Sequence, residues 1–102
     1  MMKPALAAAL AALFLPTITM AGGPIERACL KSDRQAANRA TCTCIQQVAD
    51  MTLRGGDQRR AAKFFNDPER AQEVRFSNRD SDTAFWSRYK SFGETAQAFC
   101  AG

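Results

Sequence analysis

The chain has 102 residues, four cysteines, no histidine and a formal net charge of +4. At about 100–200 residues per domain, that is room for one domain. Without histidine there is no Ser-His-Asp or Cys-His catalysis, no imidazole metal ligand and no Cys-x-x-Cys-His haem site.

The hydrophobic content of 46% divides unevenly along the chain. Of its hydrophobic residues, 16 lie in the first 21 positions and 31 in the remaining 81. Leu, Ile, Val and Phe number only 12 of those 81. A domain this small and this poor in aliphatics needs support beyond burial.

Residues 1–21 read as a secretory signal. Lys3 gives a positive start, and Ala5 to Leu15 is an apolar run of 11 residues. Pro16 breaks any helix, and Thr19-Met20-Ala21 offers small residues for cleavage after Ala21. The run is too short for a membrane span, which needs about 20 apolar residues. The Ala-rich leader points to a bacterial periplasm or to secretion. Residues 22–102 then form a single helical domain carrying 13 basic and 10 acidic residues.

That domain has two Val, two Ile and five Thr, many Ala and no period-two alternation, so it reads as all-α. Gly22-Gly23-Pro24 opens a first helix over about 24–30. Ser32 precedes Gln35 by three, a capping-box spacing, and predicts a long helix from about Asp33 to Leu53. On its wheel Ala37, Ala40, Val48 and Met51 cluster around Cys44, with Ile45, Ala49 and Leu53 on one side of the arc. Arg39, Gln46, Gln47, Asp50 and Arg54 fill the polar side.

Gly55-Gly56 is expected to end this helix and Asp57 to cap the next, which runs to about Phe65. Asn66-Asp67-Pro68 marks a boundary, and a short helix follows from Pro68 to about Phe76. After a polar loop over 77–81, the last helix starts near Ser81 or Asp82. Its stripe Phe85, Tyr89, Phe92, Ala96 and Phe99 steps by 4, 3, 4 and 3. Gly93 either weakens that helix or admits a second backbone. Phe64, Phe65, Phe76, Phe85, Trp86, Tyr89, Phe92 and Phe99 are the expected core, standing in for the missing aliphatics.

An even cysteine count in a small exported chain argues for two disulfides among Cys29, Cys42, Cys44 and Cys100. Cys42 and Cys44 cannot pair within a helix, because their side chains leave it about 200° apart. One therefore joins Cys29 and the other Cys100. Cys29–Cys42 with Cys44–Cys100 is favoured because Cys44 faces the apolar stripe, and the reverse pairing stays open. A Cys-x-Cys redox pair and a soft-metal site are the alternatives. Redox chemistry favours Cys-x-x-Cys at a helix start, and zinc favours two short pairs.

Other constellations carry less. Asn78-x-Asp80-x-Asp82 opens like a calcium loop, but Thr83 stands where glycine is needed and Tyr89 where a bidentate Glu belongs. Glu69 and Glu73 share a helix face without an evident cleft. Ten of the 13 basic residues are Arg, which binds carboxylate and phosphate bidentately. Arg59, Arg60 and Lys63, with Arg70 and Arg75, form the candidate interaction surface.

The runs Ala28-Cys29-Leu30-Lys31-Ser32-Asp33-Arg34 and Cys42-Thr43-Cys44-Ile45-Gln46-Gln47-Val48-Ala49-Asp50 are distinctive. So are Ala61-Ala62-Lys63-Phe64-Phe65 with Asp67-Pro68, and Phe85-Trp86 with Tyr89. Together they resemble a group of short exported alphaproteobacterial proteins labelled arginine transporters, over nearly all of residues 22–102. That resemblance implies an accessory role in amino-acid uptake and carries over no catalytic or binding residues.

The reading is thus a bundle of three to five helices stapled by two disulfides. It is an exported, non-enzymatic binding protein that uses no cofactor. Its expected partner is an envelope protein or an anionic envelope surface, not nucleic acid. Arginine uptake and thiol redox chemistry are the competing functions.

Overall fold

The computed structural model of the chain describes residues 22–34 and 37–101. The leader read from residues 1–21 lies outside them. Five α-helices follow in order: α1 (Pro24–Lys31), α2 (Arg39–Thr52), α3 (Gly55–Ala62), α4 (Pro68–Arg75) and α5 (Asp80–Cys100). A 3₁₀ turn over Lys63–Phe65 joins α3 to α4. Among the described residues the fold is all-helical, as expected.

The sulfur pairing is Cys29–Cys42 and Cys44–Cys100, with Cα–Cα distances of 5.6 and 5.7 Å. This is the favoured of the two frameworks. The bridges close loops of 13 and 56 residues. On the chain-entropy account they contribute about 3 and about 4 kcal/mol.

Helix α2 starts at Arg39, six residues later than its sequence indicates. Asn38 is the N-cap, its side chain accepting from the Thr41 amide at 2.9 Å. The expected capping partner of Ser32, Gln35, lies outside the described residues. Ser32 ends α1, where its hydroxyl donates to the Cys29 carbonyl at 2.7 Å. Once Cys29 bridges to Cys42, the chain must turn back between α1 and α2, and a continuous helix from Asp33 would prevent that.

The buried face of α2 is also rotated from the expected stripe. Cys42, Gln46, Ala49 and Leu53 step by 4, 3 and 4 and are all buried. Ala40 is exposed, and Met51 is 72% exposed. Gln46, expected on the polar side, is 6% exposed. The reason is that α2 is covered twice. Helix α1 lies over the face carrying Cys42 and Gln46, while α5 is tied to the side carrying Cys44.

Gln46 is satisfied completely in this position. Its Oε1 accepts from the Glu26 amide at 2.9 Å. Its Nε2 donates to Asp50 Oδ1 and to Gln58 Oε1, both at 2.8 Å. Gln58 Nε2 in turn donates to Asp50 Oδ1 at 3.1 Å and to the Leu53 carbonyl at 3.3 Å. The N-cap of α1, Gly23, offers no side-chain hydrogen bond, so Gln46 from α2 takes that role. A buried amide with every bond made fixes geometry at little net cost. Here it locks α1, α2 and α3 together.

Helix α3 starts at Gly55 with Arg54 as N-cap, so the two glycines begin a helix and Asp57 does not cap it. Asp57 instead accepts both arms of the Arg88 guanidinium, at 2.6 and 3.1 Å, tying α3 to α5. Asp67 caps α4, its carboxylate accepting from the Arg70 amide at 3.3 Å. Helix α5 begins at Asp80, slightly ahead of expectation.

The core joins Ile25, Val48, Ala49, Leu53, Ala61, Phe64, Val74, Phe85 and Phe92. Tyr89 is the hub of the rings, with centroids of Phe64, Phe85, Trp86 and Phe92 between 5.2 and 5.9 Å away. Such pairs add about 0.5–1.5 kcal/mol each beyond their buried area. Burial raises the Tyr89 phenol above its ordinary value, against an opposing contribution from Arg34. Two expected core rings are outside it. Phe76 and Phe99 are 71% and 76% exposed. Phe76 is the C-cap of α4, and Phe99 is exposed although the next residue, Cys100, is bonded to Cys44 of α2. Gly93 lets no backbone approach, for a Cβ there would meet nothing within 4 Å.

Two outcomes follow. A Cβ on Gly23 would lie 2.4 Å from the Gln46 side chain, although the Gly23 backbone (φ −71°) suits any residue. Gly23→Ala should therefore destabilise by about 1–3 kcal/mol, the cost of unmaking the buried amide's bonds. In a Gln46→Ala background it should cost almost nothing. Equal costs in both backgrounds, measured by denaturant unfolding, would refute the coupling. Second, Cys29 and Cys42 are buried while Cys44 and Cys100 are half-buried. Limiting reductant followed by alkylation and peptide mapping should label Cys44 and Cys100 first.

Candidate functional site

The chemistry-bearing residues gather where α3, α4 and the start of α5 meet. Helix α3 has two sides. Ala61 and Phe64 are buried against the core. Arg59 and Lys63, four residues apart, are exposed on the other side. Asn66-Asp67-Pro68 then starts α4, which packs against α5. A groove of about 670 Å³ opens among α3, α4 and the start of α5, with Val74 among the residues of its wall.

Four of the five basic residues singled out in the sequence line this groove: Arg59, Arg60, Lys63 and Arg70. Arg75 does not. It lies on another face of α4, its guanidinium over the exposed Phe76 ring at 5.2 Å. The groove gains Arg79 in its place. Arg79 is the N-cap of α5, and its amide donates to Ser77 Oγ at 3.1 Å. No sequence spacing joins Arg79 to α3. Only the fold of the 76–79 connection places it there.

The cations have two distinct roles. Arg60 is immobilised. Its Nη2 donates to Asp82 Oδ1 at 2.5 Å, and its guanidinium stacks over Phe85 at 4.4 Å. Asp82 Oδ2 accepts from Ser77 Oγ at 2.7 Å. Both carboxylate oxygens are thus engaged by protein, which leaves the calcium-like spacing around Asp82 a helix start. Arg60 and Ser77 hold the Asp82 carboxyl below its ordinary value of 3.8, against a smaller opposing effect of burial. The other cations stay available. Arg70 makes a loose pair with Asp67 at 3.5 Å, half exposed on both sides. Among the described residues Arg59, Lys63 and Arg79 make no ion pair.

Five cations therefore face two carboxylates, Glu73 and Asp82, and Asp82 is already spent on Arg60. Glu69, its expected partner on α4, is exposed and does not line the groove. The four cysteines are all in disulfides and lie elsewhere. An open, cationic, partly pre-ordered groove can attract and orient an anion.

No family model matches the chain, and no curated protein and no solved structure matches it either.

The Asp82 geometry predicts a pH signature. A carboxyl whose folded value lies below its unfolded value adds stability above the unfolded value and loses it as pH falls. Asp82→Asn should lower Tm at neutral pH. Its deficit against the parent should shrink as pH drops through about 4 towards 2. A deficit that stays constant across that range would contradict the assignment.

Proposed function

We propose that this is an exported, non-enzymatic binding protein that captures an anionic partner in the α3–α4–α5 groove. One observation carries the reading. Arg59, Lys63 and Arg79, drawn from two separate stretches of the chain, converge on one hollow and are left without carboxylate partners among the described residues. A merely solvated charged surface intersperses its signs and spreads them.

Other observations fit. Two disulfides suit an oxidising compartment such as the periplasm or the extracellular medium. No helix among the described residues is long and apolar enough to cross a membrane. Arginine uptake finds less support in the groove. A free guanidinium would enter a positive field and meet only Glu73, since Asp82 is engaged by Arg60 and Ser77.

Retention on immobilised heparin, a generic polyanion, tests the site. Replacing Arg59, Lys63 and Arg79 together by Glu should abolish retention at moderate salt. Replacing Lys31, Arg39 and Lys90 by Glu changes net charge equally, away from the groove, and should shift elution only slightly. Equal loss in both sets would show a response to net charge alone and refute a groove.

A further inference from the structure

We infer that the groove is built for phosphoryl groups, and for a ligand carrying at least two of them. This rests on the anion-binding reading above. Three features distinguish phosphoryl from carboxylate. The first is direction. A carboxylate is planar and offers two oxygens, which one guanidinium fork satisfies. A phosphoryl group is tetrahedral and accepts donors from several sides. Here the donors come from three sides: Arg59 and Arg60 from α3 with Lys63 from the turn that follows it, Arg70 from α4, and Arg79 from the N-cap of α5.

The second feature is charge. Arg60 is matched by Asp82 and Arg70 is paired with Asp67, which leaves Arg59, Lys63 and Arg79 against Glu73. That surplus exceeds what one monocarboxylate would neutralise. The third is size. A hollow of about 670 Å³ falls within the range of small-molecule sites, about 300–1,000 Å³, and is larger than one inorganic anion needs. The fixed Arg60 supplies a pre-oriented donor, held by Asp82 and Phe85. The long exposed side chains of Arg59, Lys63 and Arg79 close on the ligand. Glu73 faces the same space and can accept a hydrogen bond from a ligand hydroxyl or a protonated phosphoryl oxygen.

Two sources present this chemistry: a soluble polyphosphorylated molecule, and phosphomonoester headgroups on a membrane. Titration calorimetry with inorganic pyrophosphate and with citrate, on the oxidised protein, tests the inference. Pyrophosphate should bind at least tenfold more tightly than citrate. Arg79→Gln and the pair Arg59→Gln with Lys63→Gln should each weaken it about tenfold, the usual scale for losing a charge-assisted bond. Glu73→Gln should tighten it by removing a repulsive carboxylate, a change that loss of folding would not produce. Lys31→Gln with Arg39→Gln should leave it unchanged.

Sedimentation with phosphatidylcholine vesicles containing phosphatidic acid, or phosphatidylserine at equal charge, separates the sources. Cosedimentation with phosphatidic acid alone, released by pyrophosphate, assigns the headgroup. Pyrophosphate binding without sedimentation assigns a soluble ligand. Citrate binding as tightly as pyrophosphate overturns the phosphoryl inference, and so does binding of neither while heparin retention persists; loss of heparin retention as well overturns the anion-binding reading itself.

Discussion

Cys42 and Cys44 leave α2 about 200° apart, and each is bonded to a different part of the chain. One helix is thereby fixed on two opposing sides. On one side α1 is drawn down, so Gln46 must be buried and must find partners. It finds them in the first turn of α1 and on α3. On the other side the end of α5 is drawn in, and its aromatic face closes over Phe64. The placement of α3, and so of its outward cations, is a consequence of both. A small domain with so few aliphatics needs that kind of construction, because burial alone leaves small domains marginal.

The groove concentrates like charge, which opposes folding locally. At the surface the repulsion is modest, about 1 kcal/mol for two unit charges 4 Å apart in water, and salt screens it further. Two devices contain it. Asp82 neutralises the one guanidinium that is partly buried, Arg60. The Arg88–Asp57 fork and the Phe64–Phe85–Tyr89 cluster hold α3 against α5 beneath the charged surface. The cations can then face one another without prising the helices apart.

Much of this was legible in the residues. Helix-breaking Pro68, the 4-3-4-3 stripe of α5 and the cysteine spacing lead directly to the helical class, the last helix and the two feasible pairings. The differences have separate causes. The wheel of α2 put Gln46 in solvent because amides are polar, yet a second helix covers that face and the amide is fully bonded. Phe76 and Phe99 continue apolar patterns onto sides of the helices that stay exposed. Arg79 joins the groove through the four-residue connection 76–79, whose path no periodicity encodes. Four of the five basic residues singled out line one groove because they are close in sequence, on α3, the turn after it and α4, where local spacing does carry spatial meaning.

The Cys44–Cys100 bridge has a topological meaning beyond stability. Everything that forms the groove, from Gly56 to Asp82, lies between those two cysteines. That stretch is a closed covalent circle, 56 residues in sequence separation. A circle cut once is still a single piece. A protease that severs the exposed connection around Asn78 would open the ring without releasing either half, and both walls of the groove would stay on one molecule. The groove is thereby guarded against separation by a first cut.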